Sequence, residues 1–284
     1  MIFVTGASGQ LGGLVADGLA ERVDPSTVTL GTRSPEKLSA YKAKGFNVVA
    51  FDFDDPAGMT AALHGHDRML LISGSTDIET RKRQQRAAID AAKAAGVSHI
   101  VYTSFANASD QSKFTFAWIH ADTEGCLAKA GLGYTILRNN NYADLQAGAI
   151  EEARKTGRIA LPGHAGKCAY ITRADAAAAA VAALLADNPG NAVLDITGPA
   201  AYSAKDLAAM LTEIWGKPVE AVEIDSAAFE DKLAPAGFPP FYVEAFHGIR
   251  GATGDGEYES VSDDFEKLTG RKAEDFKQVV KRLA

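Results

Sequence analysis

Three glycines carry the first chemistry in the chain. In "VTGASGQLG", Gly6, Gly9 and Gly12 stand three apart, directly after an apolar run and directly before a helical pattern. Gly6 permits a tight turn, Gly9 lets backbone N–H groups approach a ligand, and Gly12 lets the helix pack close to the strand. The helix then begins with unpaired N–H groups at the positive end of its dipole, which suits a pyrophosphate. Gly6, Ala7, Ser8, Gly9, Gln10 and Leu11 are therefore the first candidate dinucleotide-binding segment. The alternative is a purely structural strand-to-helix turn.

The next strand end selects the dinucleotide. A site for NAD carries an acid about 20 residues on, bonded to the ribose 2′-hydroxyl. Here the strand ends "LGTRSPEK", with no acid at its tip and with Arg33 offering a planar fork for a 2′-phosphate. The expected cofactor is NADP(H); the alternative for Arg33 is an ordinary solvated arginine. "FDFDD" places Asp52 after the third strand, where a carboxylate can accept the adenine amino group. "LLISGS" places Ser73, Gly74 and Ser75 after the fourth, small enough to lie against ribose and pyrophosphate. Each of these loops is a weak signal alone, and their succession at strand ends is stronger.

The catalytic signal is mostly an absence. The fifth strand ends "VYTSFANA", placing Ser104 where classical short-chain dehydrogenases hold a serine that bonds the substrate carbonyl. Those enzymes then use Tyr-x-x-x-Lys on one helix face, the lysine lowering the tyrosine pKa. The residues four after the eight tyrosines are Gly45, Ala106, Arg138, Gln146, Ala174, Asp206, Phe246 and Ser262, so the pair is absent. In its place "WIHADTEGCL" offers His120 and Glu124, which share a face at i, i+4. His120 can deliver a proton near neutral pH, or the two can be a satisfied structural pair. Phe105, Phe114 and Phe116 are candidates for lining a flat acceptor pocket, the alternative being core. Cys126 reads as a small core residue.

The elements that must position these residues alternate between short apolar runs and amphipathic stretches, the pattern of βαβ units and a parallel sheet. Strands are expected at 2–5, 27–31, 47–51, 69–73, 99–104, 134–138, 159–161 and 192–197. Helices are expected at 10–22, 35–44, 56–64, 77–95 and 116–130, with Gly96 closing the fourth. Beyond about residue 150 the pattern loosens. An alanine-rich helix over 174–187 is stopped by "NPG" at 188–190, and another starts after Ser203 with Asp206 placed for a capping box. A strand is expected at 219–225. The tail, with "APAGFPPF" and "GATGDGEY", reads as short helices punctuated by Pro and Gly. The expected division is a nucleotide-binding domain over 1–150, rejoined by 170–200, and a small lobe over 201–284 that walls the substrate.

Composition narrows the partners. With 284 residues, 46% hydrophobic and 23% charged, the chain is long enough for a full core. A net charge of −7 disfavours a nucleic-acid groove or an anionic membrane surface. No apolar run approaches the roughly 20 residues needed to span a bilayer. The first residues read as a strand, leaving no room for a signal peptide. Cys126 and Cys168 show no metal or disulfide spacing, which points to a reducing cytoplasm. A monomer or homodimer acting on a small molecule is expected.

Together "VTGASGQLG", "GTRSPEK", "RAAIDAAKAAGVSHIVYTS", "HADTEGCLAKAGLGYTILRNNNYAD" and "VSDDFEKLTGRK" resemble the NmrA-like branch of the atypical short-chain dehydrogenase/reductase family, in particular its quinone-reducing bacterial members. The resemblance runs over essentially the whole chain. It implies a doubly wound parallel sheet of the NAD(P)-binding Rossmann type with a smaller, mainly helical C-terminal lobe. It also implies NADPH as cofactor and no Tyr/Lys pair. By resemblance the cofactor contacts extend from the glycine loop, Arg33 and Ser73–Ser75 to Asn139, Asn140, Asn141 and Tyr142 after "ILR", with Arg173 in "TRADAAAA" as a further candidate. Tyr142 also falls beside the expected substrate. Relatives commonly read "RNGWYSEN" where this chain reads "RNNNYADL", which replaces an aromatic wall with amides. The expected reaction is hydride transfer from NADPH to a quinone-like or conjugated acceptor. Such an acceptor is electrophilic enough to react when held in line, and its proton can come from water, Ser104 or His120. An NADP-binding redox sensor is the alternative, and a sugar-nucleotide epimerase, which needs the Tyr/Lys pair, comes third.

Overall fold

The computed structural model describes residues 1–187 and 189–284. The chain runs β1 (Ile2–Val4), α1 (Gln10–Ala20), β2 (Val28–Thr32), α2 (Ser39–Ala43), β3 (Asn47–Ala50), α3 (Pro56–Leu63), β4 (Arg68–Ile72), α4 (Ile78–Ala94), β5 (His99–Phe105), α5 (Thr115–Ala130) and β6 (Gly133–Asn139). It continues through α6 (Ala147–Thr156), β7 (Arg158–Ala160), β8 (Lys167–Cys168), α7 (Arg173–Leu185), β9 (Ala192–Ile196), β10 (Tyr202–Ser203), α8 (Ala204–Trp215) and β11 (Glu220–Val222). Four helices close it: α9 (Ser226–Leu233), α10 (Pro240–Gly254), α11 (Asp264–Thr269) and α12 (Phe276–Leu283).

Seven strands form one sheet in the order β3-β2-β1-β4-β5-β6-β9. The ladders joining β1 to β2 and β4, β2 to β3, and β4 to β5 are parallel, with Ile2 opposite Val28 on one side and Arg68 on the other. This is the doubly wound Rossmann order, which reverses direction between β1 and β4. Alternation sends Phe3, Met69, Leu71, Ile100 and Tyr102 to one face, where Met59, Leu63, Ala88, Ile89, Ala92 and Leu127 from α3, α4 and α5 cover them. α1 and α7 pack together, with Gly18 close against Val181.

The molecule divides into two compact units whose segments alternate along the chain. The first comprises 1–104, 119–138 and 173–194; the second comprises 105–118, 139–172 and 195–284. The boundaries thus fall near the ends of β5 and β6, within α5, at the start of α7 and within β9. The second unit has its own core, including Phe114, Ile150, Ile159, Tyr170, Leu207, Leu211, Phe276 and Val280.

The capping box at Ser203 and Asp206 is present, and Gly96 has φ +84° just past α4. The "NPG" stop begins at Asn188, outside the described residues. Three elements differ from expectation. α6 occupies a stretch that carries no clear period in the sequence, and it ends on Gly157 at φ +71°. The strand expected at 159–161 joins β11 in a separate two-stranded sheet. The glycine-spaced tail contains α10, a continuous 15-residue helix.

Candidate nucleotide cleft and candidate acceptor cavity

The glycine loop folds as its composition requires. Gly6 adopts φ +60°, its carbonyl accepts from Gly9 N at 2.9 Å, and Ala7 N reaches Gly31 O at 3.2 Å. A Cβ on Gly12 would lie 2.4 Å from Gly6 O and 2.7 Å from Ala7 Cα, so no other residue fits there without displacing the turn. Gly9 is the N-cap of α1 and contributes no side-chain cap, and the first turn holds no acid. Its N–H groups are thereby left to a ligand.

Around this loop the carboxyl ends of four strands enclose a cleft of about 270 Å³. It is lined by Gly6, Ser8 and Gly9 after β1, Thr32 and Arg33 at β2, Phe51, Asp52 and Phe53 after β3, and Ile72 to Thr76 with Gln84 at β4 and α4. This is the crevice at the sheet's switch point, where such folds bind dinucleotides. Ser8 Oγ and Thr32 Oγ1 lie 2.8 Å apart, tying the first loop to the second. Of the expected cofactor positions, Gly6, Ser8, Gly9, Arg33, Asp52, Ser73, Gly74 and Ser75 converge here. Ala7 is buried beneath the loop, and Gln10 and Leu11 open α1 instead of lining the cleft. Arg173 begins α7 and is half-buried.

The loop after β4 is held from below by a polar stripe on α4 that sequence reasoning missed. Arg81 donates to Thr76 O, Thr76 Oγ1 meets Gln84 Oε1 at 3.1 Å, and Gln85 Nε2 meets Ser73 Oγ at 3.0 Å. Gln84 also donates to Asp54 at 2.9 Å. The Arg83 guanidinium beside Asp54 holds that carboxyl below its ordinary value, with Gln84 adding to the effect. A signal was available: "RKRQQRAAID" puts Arg81, Gln84 and Gln85 on the same face as Ala88 and Ala92, where a core helix should carry apolar residues.

Helix α5 sits over β5 with matched spacing. Tyr102 and Ser104 are two apart on the strand, His120 and Glu124 four apart on the helix, and each step advances roughly 6–7 Å. His120 Nδ1 meets Tyr102 OH at 2.7 Å, and Ser104 Oγ donates to Glu124 Oε1 at 2.6 Å. Arg138 adds a bidentate pair to the same carboxylate, Nε at 3.0 Å and Nη2 at 2.6 Å. Burial, with the Arg81 charge as a lesser cause, lowers the His120 pKa to about 3. The imidazole is therefore neutral at physiological pH. For an 8% exposed ring facing a buried phenol, this favours the structural alternative for His120 over proton delivery near neutral pH.

The amides after β6 lie in the second unit. Asn140 donates to Tyr258 O at 3.0 Å and accepts from Cys168 Sγ at 3.2 Å, while Asn141 N closes on Asn140 Oδ1 at 2.8 Å. Asn140 is thus a buried stitch, and burial pushes the Cys168 thiol up to about 12. Asn139 is buried and donates to Tyr142 OH at 3.5 Å, but its Oδ1 has no partner.

Beside them a cavity of about 480 Å³ is bounded by Tyr142, Leu145, Phe229, Phe238, Phe246 and Ile249, with Asn141, Lys232 and Arg250 among its polar groups. Of the aromatics expected to line an acceptor pocket, Tyr142 bounds this cavity and the other three lie elsewhere. Phe114 is in the core, Phe105 packs on Phe114 and Tyr258, and Phe116 packs on Phe241 and Tyr242. The rest of this cavity's aromatic lining comes from Phe229 of α9, from Phe238, and from Phe246 of α10, whose glycine-interrupted sequence conceals a helix face. Among the described residues no three metal-ligating side chains cluster, and no helix is long and apolar enough to cross a membrane.

A family model described as NAD(P)H-binding matches residues 6–187. Quinone oxidoreductase 2 of Escherichia coli (strain K12) is 38% identical over 239 residues, covering 84% of this chain and 83% of that protein. The structure of the NADPH-dependent quinone oxidoreductase QOR2 of Escherichia coli complexed with NADPH superposes with a TM-score of 0.93 at 35% identity, covering 100% of this chain and 99% of that one. The Citrobacter sp. triphenylmethane reductase complexed with NADP(H) gives a TM-score of 0.93 at 31% identity, covering 100% and 99%.

Proposed function

This chain belongs to the NmrA-like, NAD(P)H-binding family, and on that premise we propose that it is a reductase passing hydride from NADPH to a quinone-like or conjugated small molecule. It is an NAD(P)H-dependent oxidoreductase with NADP(H) as cofactor. One observation carries the reading of its site: the cleft at the switch point presents Arg33, and no carboxylate, at the tip of β2.

The residues fit the cofactor. The cradle at Gly6, Gly9 and Gly12 has no room for a Cβ at Gly12, and the α1 N-terminus above it is uncapped. The backbone from Gly6 to Leu11 would hold the pyrophosphate, Arg33 the 2′-phosphate, Asp52 the adenine amino group, and Ser73–Ser75 the ribose side. Asn139, with its unpartnered carbonyl oxygen, is a proposed cofactor position by resemblance. Asn140, Asn141, Tyr142 and Arg173 are proposed as cofactor positions on the family resemblance alone. When bound, the nicotinamide supplies the hydride. The chain's own part is to hold the acceptor in line and exclude water, which for an activated acceptor supplies much of the rate. Ser104, bonded to Glu124, and neutral His120, bonded to Tyr102, position α5 on the sheet, and the product anion takes its proton from solvent.

The test is to mix purified protein with NADPH and a panel of quinones and to follow the absorbance of the reduced nicotinamide. Acceptor-dependent oxidation of NADPH is expected. NADPH that binds without being consumed by any acceptor would instead make the protein a sensor of the cofactor's redox state.

A further inference from the structure

The cavity of the second unit carries an unbalanced charge. Lys232 is neutralised in place, with its Nζ 2.7 and 2.9 Å from the Glu152 carboxylate and 2.6 Å from Ala160 O. Arg250 is not: among the described residues no carboxylate forms an ion pair with it. It acts on the Tyr170 phenol, which burial holds protonated far above its usual range and which therefore offers no negative charge. A half-buried guanidinium in an aromatic wall, with no ion-pair partner of its own among the described residues, is costly unless a ligand supplies the anion.

The placement of that guanidinium is built into the backbone. Phe246, Ile249, Arg250 and Thr253 follow i, i+3, i+4, i+7 on α10 and all face the cavity. A second face of the helix is bare. A Cβ on Gly248 would stand 2.2 Å from Lys113 O, and one on Gly166 would stand 2.0 Å from Thr253 O. α10 is thus seated by direct backbone contact on the 112–114 and 163–166 segments. That packing holds Arg250 at one place in the wall.

We propose that this cavity selects acceptors that carry an anionic substituent on a flat apolar ring, with Arg250 as the counter-ion and Tyr142, Phe238 and Phe246 as the stacking wall. The proposal rests on the reductase reading for the word acceptor, and on the cavity alone for the anion. A planar guanidinium pairs bidentately with sulfonate or carboxylate and stacks on rings, which lysine does not reproduce.

Two measurements test it. Steady-state kinetics with NADPH compare 1,4-naphthoquinone and its 2-sulfonate on the wild type, Arg250→Met and Arg250→Lys. In Arg250→Met the KM for the sulfonate should rise by about tenfold or more, the loss expected for one charge-assisted pair, and by a much larger factor than for the parent quinone. Arg250→Lys should recover part of that loss. Equal effects on both quinones, or a loss confined to kcat, would overturn the proposal. Calorimetric titration with naphthalene-2-sulfonate, which cannot be reduced, reads the cavity without turnover. Binding to the wild type that Arg250→Met weakens upholds the anion site even if no quinone consumes NADPH, in which case only the reductase reading fails. No binding to the wild type, or inorganic sulfate binding equally well, overturns the site while leaving quinone reduction intact.

Discussion

Arg33 and Glu124 show how differently two charged residues act in the same unit. Arg33 is exposed at the cleft rim with Thr32 and Asp52 beside it, so its charge is available to a ligand. Arg33→Asp should weaken NADPH by about tenfold to a hundredfold while changing NADH much less, measured by titrating both cofactors. Equal weakening would remove the 2′-phosphate role. Glu124 is consumed by Ser104 and the Arg138 fork. Glu124→Gln removes the charge from this pairing and should cost about 1–3 kcal/mol of stability by denaturant unfolding, without moving NADPH affinity. At this scale the sequence is readable where a residue's place is dictated by a strand end, as for Gly6, Arg33, Asp52 and Ser73, which all line the cleft. It was unreadable where the role depends on which partner lies opposite. His120 and Glu124 were seen as sharing a face, but nothing in the sequence says that Tyr102 would take one and Ser104 the other.

At the scale of elements, the βαβ turn is the least tolerant feature. Gly12→Ala would drive a methyl group into Gly6 O and Ala7 Cα. It should lower stability by about 1–3 kcal/mol through overpacking and abolish NADPH retention, read by unfolding and by cofactor titration on the same sample. The strands of the large sheet were legible because their apolar runs are short and end in turn residues. α6 was not, because "AGAIEEARKT" is short and has a glycine in its first turn. α10 was hidden for a related reason. Glycine normally signals a break, and only tertiary contact shows that these glycines exist to let backbone approach backbone.

For the whole molecule, buried histidines set the response to acid. His120 is held neutral with a pKa lowered to about 3, and burial lowers His66 and His99 as well. In each the folded value lies below the 6.5 of a free imidazole, so the unfolded chain takes up the proton first. Stability should be complete above that value and fall as the pH drops from 6.5 towards 3, by about 1.4 kcal/mol per pH unit for each group that titrates fully. Unfolding curves across that range, with His120→Gln showing a shallower slope than the wild type, check this. A flat profile would mean that the rings are protonated in place. The interleaving of the two units was beyond the sequence, since local pattern marks where strands end but not which compact body each following segment joins.

The bare side of α10 has a further effect on motion. Gly248, Gly251 and Gly254 each forfeit about 1 kcal/mol of intrinsic helix preference relative to alanine, so this segment has little helicity of its own. It stays coiled because the 112–114 and 163–166 segments press against it. Its amide protons should therefore not fray from the ends, as those of an ordinary surface helix do. They should exchange with deuterium in step with those two segments, in a single opening event that also releases the wall carrying Arg250.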